Sequence, residues 1–343
     1  MDFIFGKNIM GLRKKDDFKH IIDVEECVIC NEKINEMLKK VREHFKESDH
    51  FDFERDSGTF KEVILRAGYD DCGAVFILNP DSNNIKEAQD KIRNFSQESG
   101  IKNIVISYSG EEEFLSDYFV LEGDEFIKEK LLDKTFYYSL TGFFQNNTHV
   151  ASKMQDHCNS LLKKYDTKNA FLLDLYAGVG TFGIINSELF KEVLVVESVK
   201  RCIDAANKNI IENNAKNVKT MVLDAGKIKR LSLKKPLYVI LDPPRSGMDQ
   251  KTIDELKKIK PEAIIYVSCN VFQLSKDILK FKDYKIKSAA MFDMFPQTKH
   301  IEAVVELCLK WMIDYLNSIL YKLNSGMFSY FTYLNPFFIS NFM

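Results

Sequence analysis

The chain has 343 residues, a formal net charge of −2 and 45% hydrophobic residues, the profile of an ordinary globular protein with room for a sizeable core. A charge so near neutral excludes a protein held on nucleic acid by a uniformly basic surface, and leaves such contact to local patches at 13–15, 227–230 and 234–235. Seven scattered cysteines, an odd number, behind an N-terminus with neither a basic nor an apolar leader region, argue against a secreted disulfide framework and for a reducing, cytoplasmic setting.

A helix-like stretch at 31–45, strand-like runs at 60–66 and 73–78, a charged helix at 85–99 and a strand at 103–108 predict a small, RNA-facing α/β domain over residues 1–135. From about residue 152 the rhythm becomes regular. Apolar runs at 171–175, 192–196, 219–223, 237–241 and 262–267 alternate with helical stretches such as 200–214 and 250–259, which predicts a doubly wound parallel sheet over 136–310. Runs at 286–292 and 303–309 predict a closing hairpin at the sheet edge, with Glu302 at the start of the final strand and Cys269 at the carboxyl end of another. The extension 311–343 ends in an uncharged, Phe- and Tyr-rich stretch whose Asn335, Pro336 and Ser/Thr residues favour packing, association or disorder over a membrane span.

Ligands of open α/β sheets bind outside the carboxyl ends of the strands, where glycines let the backbone approach. Gly178, Gly180 and Gly183 meet the G-x-G-x-x-G spacing after the strand that ends in Asp174-Leu175-Tyr176, so a dinucleotide remains one reading. Glu197, at the end of the next strand, suits ribose hydroxyls, and Asp224, after the third, suits an adenine edge; neither separates a nicotinamide from S-adenosylmethionine. Asp242-Pro243-Pro244 does, since that turn is expected of methyltransferases acting on a nucleobase and has no part in hydride transfer, although a proline pair also simply ends a strand.

A cysteine at the end of a buried strand is most often a small apolar filler. Cys269 differs in standing on the ligand side between Ser268 and Asn270, where a thiol already partly ionised near neutral pH needs only modest help from a helix N-terminus or a cation. Carbon 5 of uracil is a poor nucleophile, but thiolate addition at carbon 6 makes it an enolate able to take a methyl group. The proton left on carbon 5 must then be removed, and Glu302 is placed to do so.

At these residues the chain resembles the RNA uracil-5-methyltransferase family, which makes 5-methyluridine in transfer and ribosomal RNA. The motifs stand in the family's order from about residue 11 to 309: Asp174 to Gly180, Asp242 to Gly247, Tyr266 to Asn270, and Asp293 to Pro296 with Thr298, His300 and Glu302. The resemblance implies a Rossmann-like S-adenosylmethionine-dependent domain, with Cys269 as nucleophile and Glu302 as proton-abstracting base. It also implies Gln145 at the cofactor and uracil, Asp242 at the same site, and Asp174, Tyr176, Gly178, Gly180, Glu197 and Asp224 around the cofactor. One branch of the family carries an N-terminal RNA-binding barrel and three cysteines that share a [4Fe–4S] cluster with a fourth. Cys27 resembles that fourth ligand, and Cys30 completes only a C-x-x-C, so a cluster is not expected and the chain reads as shortened relative to the family.

The Cys27 likeness leans toward ribosomal over transfer RNA as the substrate. A target base would be flipped into the pocket, with Phe144 or Phe295 available for stacking. Methylation of another nucleobase fits less well, because Arg245 stands where adenine enzymes need an aromatic residue and no cysteine sits beside the fourth-strand prolines. A non-catalytic RNA-binding remnant is the alternative from a different class; it does not require all four motifs to be intact, and they are.

Overall fold

The computed structural model describes residues 1–310 apart from 8, 16, 109–116 and 299. The extension over 311–343 lies outside the described residues.

The first sheet is built from β1 (Asp2–Gly6), β2 (Ile9–Lys14), β3 (Asp17–Asp23), β4 (Phe60–Ala67), β5 (Cys72–Leu78), β6 (Asn103–Ser107) and β7 (Tyr118–Glu122), in the order β3-β2-β1-β4-β5-β6-β7. Only β5 and β6 run parallel, because helix α2 (Ile85–Ser99) carries the chain back between them; helix α1 (Glu32–Phe45) joins β3 to β4. Asn31 starts α1 by accepting from the Lys33 N–H at 2.8 Å, and Gly100, at φ +75°, ends α2. One face of the sheet buries Phe3, Phe5, Phe60 and Phe76 against Phe45 and Phe95 of the two helices. The three N-terminal strands have no counterpart in the sequence reading. The apolar run of β1 is only three residues long and β3 is broken by charges; β1 pairs with β4 on one side and β2 on the other, and β2 in turn pairs with β3.

A hairpin of β8 (Phe126–Leu131) and β9 (Lys134–Ser139) stands between the two sheets, so the boundary expected between residues 135 and 136 falls inside a strand. Its apolar side chains Ile127, Leu131, Phe136 and Tyr138 join Val75, Ile77 and Val105 of the first sheet to helix α3 (Thr148–Leu162) in one continuous core. The core therefore crosses the boundary instead of stopping at it.

The second sheet contains β10 (Phe171–Leu175), β11 (Glu192–Glu197), β12 (Val218–Val222), β13 (Leu237–Leu241), β14 (Ala263–Ser268), β15 (Tyr284–Phe292) and β16 (Glu302–Leu309), ordered β12-β11-β10-β13-β14-β16-β15. Helices α4 (Thr181–Ile185), α5 (Lys200–Glu212), α6 (Gln250–Ile259) and α7 (Val271–Ile278) make the crossovers, and the first five strands are parallel. This is the Rossmann-like sheet expected from the apolar rhythm. Strand order reverses beside β10, whose neighbours are β11 and β13, and ligands of such sheets bind at that point. The closing hairpin is present, with antiparallel β16 inserted between β14 and the edge strand β15.

Candidate active site

The carboxyl ends of β10, β11, β12, β13 and β14 open on one edge of the second sheet, and the expected site residues follow them. After β10 the chain turns through Tyr176 at φ +57°, Gly178 at φ +53° and Gly180 at φ +85° into α4. A Cβ on Gly178 would meet nothing within 4 Å, so it is the left-handed backbone, not crowding, that calls for glycine on this open side. Gly183 answers to the opposite demand, since a Cβ there would lie 2.7 Å from Val195 Cγ2 and 3.0 Å from Asp174 Oδ2. The Asp174 carboxylate is buried beneath the turn and accepts the Gly183 N–H at 2.8 Å; burial raises its pKa to about 7.

Glu197 ends β11 and faces the same turn, accepting the Gly178 N–H at 3.1 Å and the Val199 N–H at 3.0 Å. Asp224 lies beyond β12, exposed, with one oxygen on the Gly226 N–H at 2.8 Å. The Tyr176 ring leans toward α6, its hydroxyl 3.4 Å from Thr252 Oγ1, so this residue contributes mainly its turned backbone. A turn with left-handed glycines opening outward, flanked by one carboxylate per neighbouring strand, fits a nucleoside bearing ribose hydroxyls.

The reactive pair stands farther along the edge. Ser268 closes β14 opposite Ala303 of β16, so Cys269 and Glu302 occupy facing positions where the two strands splay. Cys269 is half-buried and Glu302 is 5% exposed. Asp242 follows β13, its N–H reaching Leu175 O at 3.4 Å; its charge is felt by Cys269, and it feels that of Glu302. Burial drives Glu302 to about 7 and pushes Asp242 well above the usual carboxylate range, where Glu302 and Asp174 push it further. Burial likewise raises Cys269, with Glu302 and Asp242 adding to the rise and the Arg245 guanidinium opposing it by charge and hydrogen bond. The thiol is thus harder to ionise in the free protein than its sequence setting implies: two carboxylates face it, against one cation.

Arg245 was missing from the sequence reading as a participant, although its motif was noted. Among the described residues it alone lowers the pKa of both Cys269 and Glu302. Its backbone is held by Asn270, whose Nδ2 donates to Arg245 O at 3.0 Å and thereby ties the thiol loop to the proline turn. The signal available was a cation directly after Asp-Pro-Pro, at the end of the strand beside the cysteine's own.

Gln145 lies on the loop after β9 and shares a cavity of about 70 Å³ with Arg66, Asn147, Met294 and Phe295, next to the segment that leads to Glu302. Phe144 does not fit the stacking role expected of it: its ring is buried and stacked on Tyr138, with centroids 4.3 Å apart. Phe295 stays partly accessible. Cys27 and Cys30 meet on the loop before α1, the Cys30 N–H donating to Cys27 O at 3.1 Å, and burial with the neighbouring thiol raises Cys30 to about 12. Among the described residues no group of three or more His, Cys, Asp or Glu is placed to hold a metal, so the side chains present do not make up a cluster's ligand set.

The family model described as tRNA (uracil-5-)-methyltransferase matches residues 9–310. The chain belongs to this family. An RNA methyltransferase of Thermotoga maritima is 30% identical over 90% of this chain and 71% of its own length. One of Nanoarchaeum equitans is 30% identical over 87% and 66%. The tRNA (uracil(54)-C(5))-methyltransferase of Pyrococcus abyssi is 28% identical over 90% and 73%, so the chain spans about two thirds to three quarters of these relatives. The crystal structure of the Pyrococcus abyssi enzyme with S-adenosyl-L-homocysteine superposes with a TM-score of 0.73 at 26% identity, covering 90% of this chain and 74% of that one. The family match spans β2 to β16, so strands of both sheets lie within it.

Proposed function

We propose that this family member methylates carbon 5 of a uridine in RNA, using S-adenosylmethionine, through a covalent adduct on Cys269. The observation that carries the reading is the facing of Cys269 and Glu302 across β14 and β16 with Arg245 bearing on both. The turn at Gly178 and Gly180 with Glu197 and Asp224 would hold the cofactor, which when bound supplies an electrophilic methyl group. The Cys269 thiolate, favoured by Arg245, adds to carbon 6; the carbon 5–carbon 6 π electrons move onto the carbon 4 oxygen as an enolate. Once carbon 5 is methylated, Glu302 takes its remaining proton, the sulfur–carbon 6 bond breaks, and the electron pair returns to sulfur. A carboxyl raised to about 7 suits that step, being a stronger base than an exposed glutamate and still half ionised at neutral pH.

The Pyrococcus abyssi relative favours transfer RNA as substrate, and the Cys27 likeness favours ribosomal RNA. The test is incubation with labelled S-adenosylmethionine and each RNA class, followed by nucleoside analysis. Labelled 5-methyluridine is expected, and label in any other nucleoside sinks the reading. Cys269→Ser should abolish transfer. Glu302→Gln should leave a protein–RNA adduct that survives a denaturing gel, because methylation precedes the blocked elimination. Such an enzyme would work in the cytoplasm, and among the described residues no helix is long and apolar enough to cross a membrane.

A further inference from the structure

Helix α7 begins two residues after Cys269, and among the described residues one of its faces has no protein partner. The inner face is fixed: Leu274 is buried, and the buried Asp277 carboxylate accepts from Tyr266 Oη at 2.8 Å, from the Met248 N–H at 3.1 Å and from Lys280 Nζ at 3.2 Å. Asn270 caps the helix, accepting from the Gln273 N–H at 3.2 Å. On the outer face Phe272 is 85% exposed and Leu279 77%, with the exposed Ser275 and Lys276 between them at helical spacing. Phe272 is more exposed than any other aromatic side chain among the described residues.

Scattered exposed apolar residues need no explanation. This one is a rigid aromatic carried on an anchored helix, no more than about 11 Å along the chain from the nucleophile. An exposed cation, Lys276, stands one turn on along the same helix. A flat apolar surface beside positive charge, at the mouth of a site, matches a single-stranded nucleic acid, whose bases stack while its phosphates meet the cation. Base extraction sharpens the need. A uracil that reaches Cys269 leaves its neighbours unstacked, at a cost of a few kcal/mol, and an aromatic at the rim offsets that cost.

We propose that Phe272 stacks on an RNA base flanking the target uridine and that Lys276 contacts the adjoining phosphate, making the outer face of α7 a positioning surface for RNA. The proposal rests on the functional reading above. It is tested with a hairpin RNA carrying one uridine in its loop. Phe272→Ala should raise KM for this RNA roughly five- to hundredfold, with KM for S-adenosylmethionine unchanged, and Phe272→Tyr should restore the wild-type value. Replacing the loop nucleotides beside the uridine by abasic ones should weaken the wild type and have little further effect on Phe272→Ala. Phe272→Trp should lose fluorescence as the RNA is added.

An unchanged KM in Phe272→Ala while the wild type forms 5-methyluridine overturns the stacking role and leaves the functional reading standing. Equal loss from abasic substitution in both proteins also overturns it. A wild-type dimer that Phe272→Ala dissolves would give the face to a second copy and overturn it as well. A wild type that methylates no uridine in either RNA class removes the functional reading, and this inference with it.

Discussion

Glu302 is held at about 7 by burial, with Arg245 pulling it down, and Cys269 is raised by burial and by two carboxylates, again against Arg245. In the reaction proposed above both groups act in their deprotonated forms, so turnover should rise as pH passes through about 7 and continue to rise as the thiol ionises. Arg245→Gln removes the one charge that favours both anions. Its rate–pH profile should therefore be displaced to higher pH as a whole, with activity at pH 9 recovering much of what is lost at pH 7. A profile that keeps its position while falling uniformly would assign Arg245 to RNA binding alone. The thiol and glutamate were legible because their motifs place them at strand ends. The role of Arg245 was not, because a cation's effect on two neighbouring strands depends on which strands adjoin, and β16 enters the sheet out of sequence order.

At the level of elements, the hairpin β8–β9 meets the second sheet through α5. Asn209 Oδ1 accepts the Tyr137 N–H at 2.7 Å while its Nδ2 donates to Tyr137 O and Val179 O, each at 3.1 Å. Asn213, one turn on, accepts the Thr135 N–H at 2.9 Å and donates to Thr135 O at 2.7 Å. Two asparagines at i and i+4 thus act as a neighbouring strand for β9 and reach the glycine turn as well. Asn209→Ala leaves the buried Val179 carbonyl and two half-buried backbone groups of Tyr137 without these partners, which should cost about 2 kcal/mol, read as a lower denaturation midpoint. It should also weaken S-adenosylmethionine binding through Val179, whereas a surface change such as Lys216→Ala, at an exposed position, should leave the midpoint unmoved. These asparagines read in sequence as polar positions on an amphipathic helix. A helix pattern shows which face is buried but not that a polar group on it will find an edge strand. The hairpin and β1 to β3 escaped the sequence reading because their apolar runs are short or broken by charges, while the central parallel strands β10, β13 and β14, buried along nearly their whole length, announced themselves as apolar runs.

Over the whole molecule the buried carboxyls set how stability depends on pH. Asp174 and Glu302 both stand near 7 in the folded chain, above their values when unfolded, so the folded state holds protons that the unfolded state releases. Their contribution is fully present below about pH 4 and declines as pH rises toward and through 7. For Glu302 the difference between about 7 and the ordinary 4.5 amounts to on the order of 3 kcal/mol. Glu302→Gln should therefore melt higher than the wild type at pH 8 and converge with it near pH 5. A constant gap between the two melting curves would show that Glu302 does not titrate in this range. Stability would then be sacrificed at the same residue that serves the reaction, as expected where a base is kept in an apolar setting.

The linear sequence was sufficient to determine the Rossmann-like sheet, the glycine turn and the order of the motifs, because strand burial, turn conformation and reactive side chains each leave a local pattern. Only the tertiary structure decided that Cys269 faces Glu302 with Arg245 bearing on both, that Phe144 is spent on Tyr138, and that one core runs through the hairpin from the first sheet to the second. Those facts depend on which strands become neighbours and how much water is excluded between them, and neither quantity is written in any short stretch of chain.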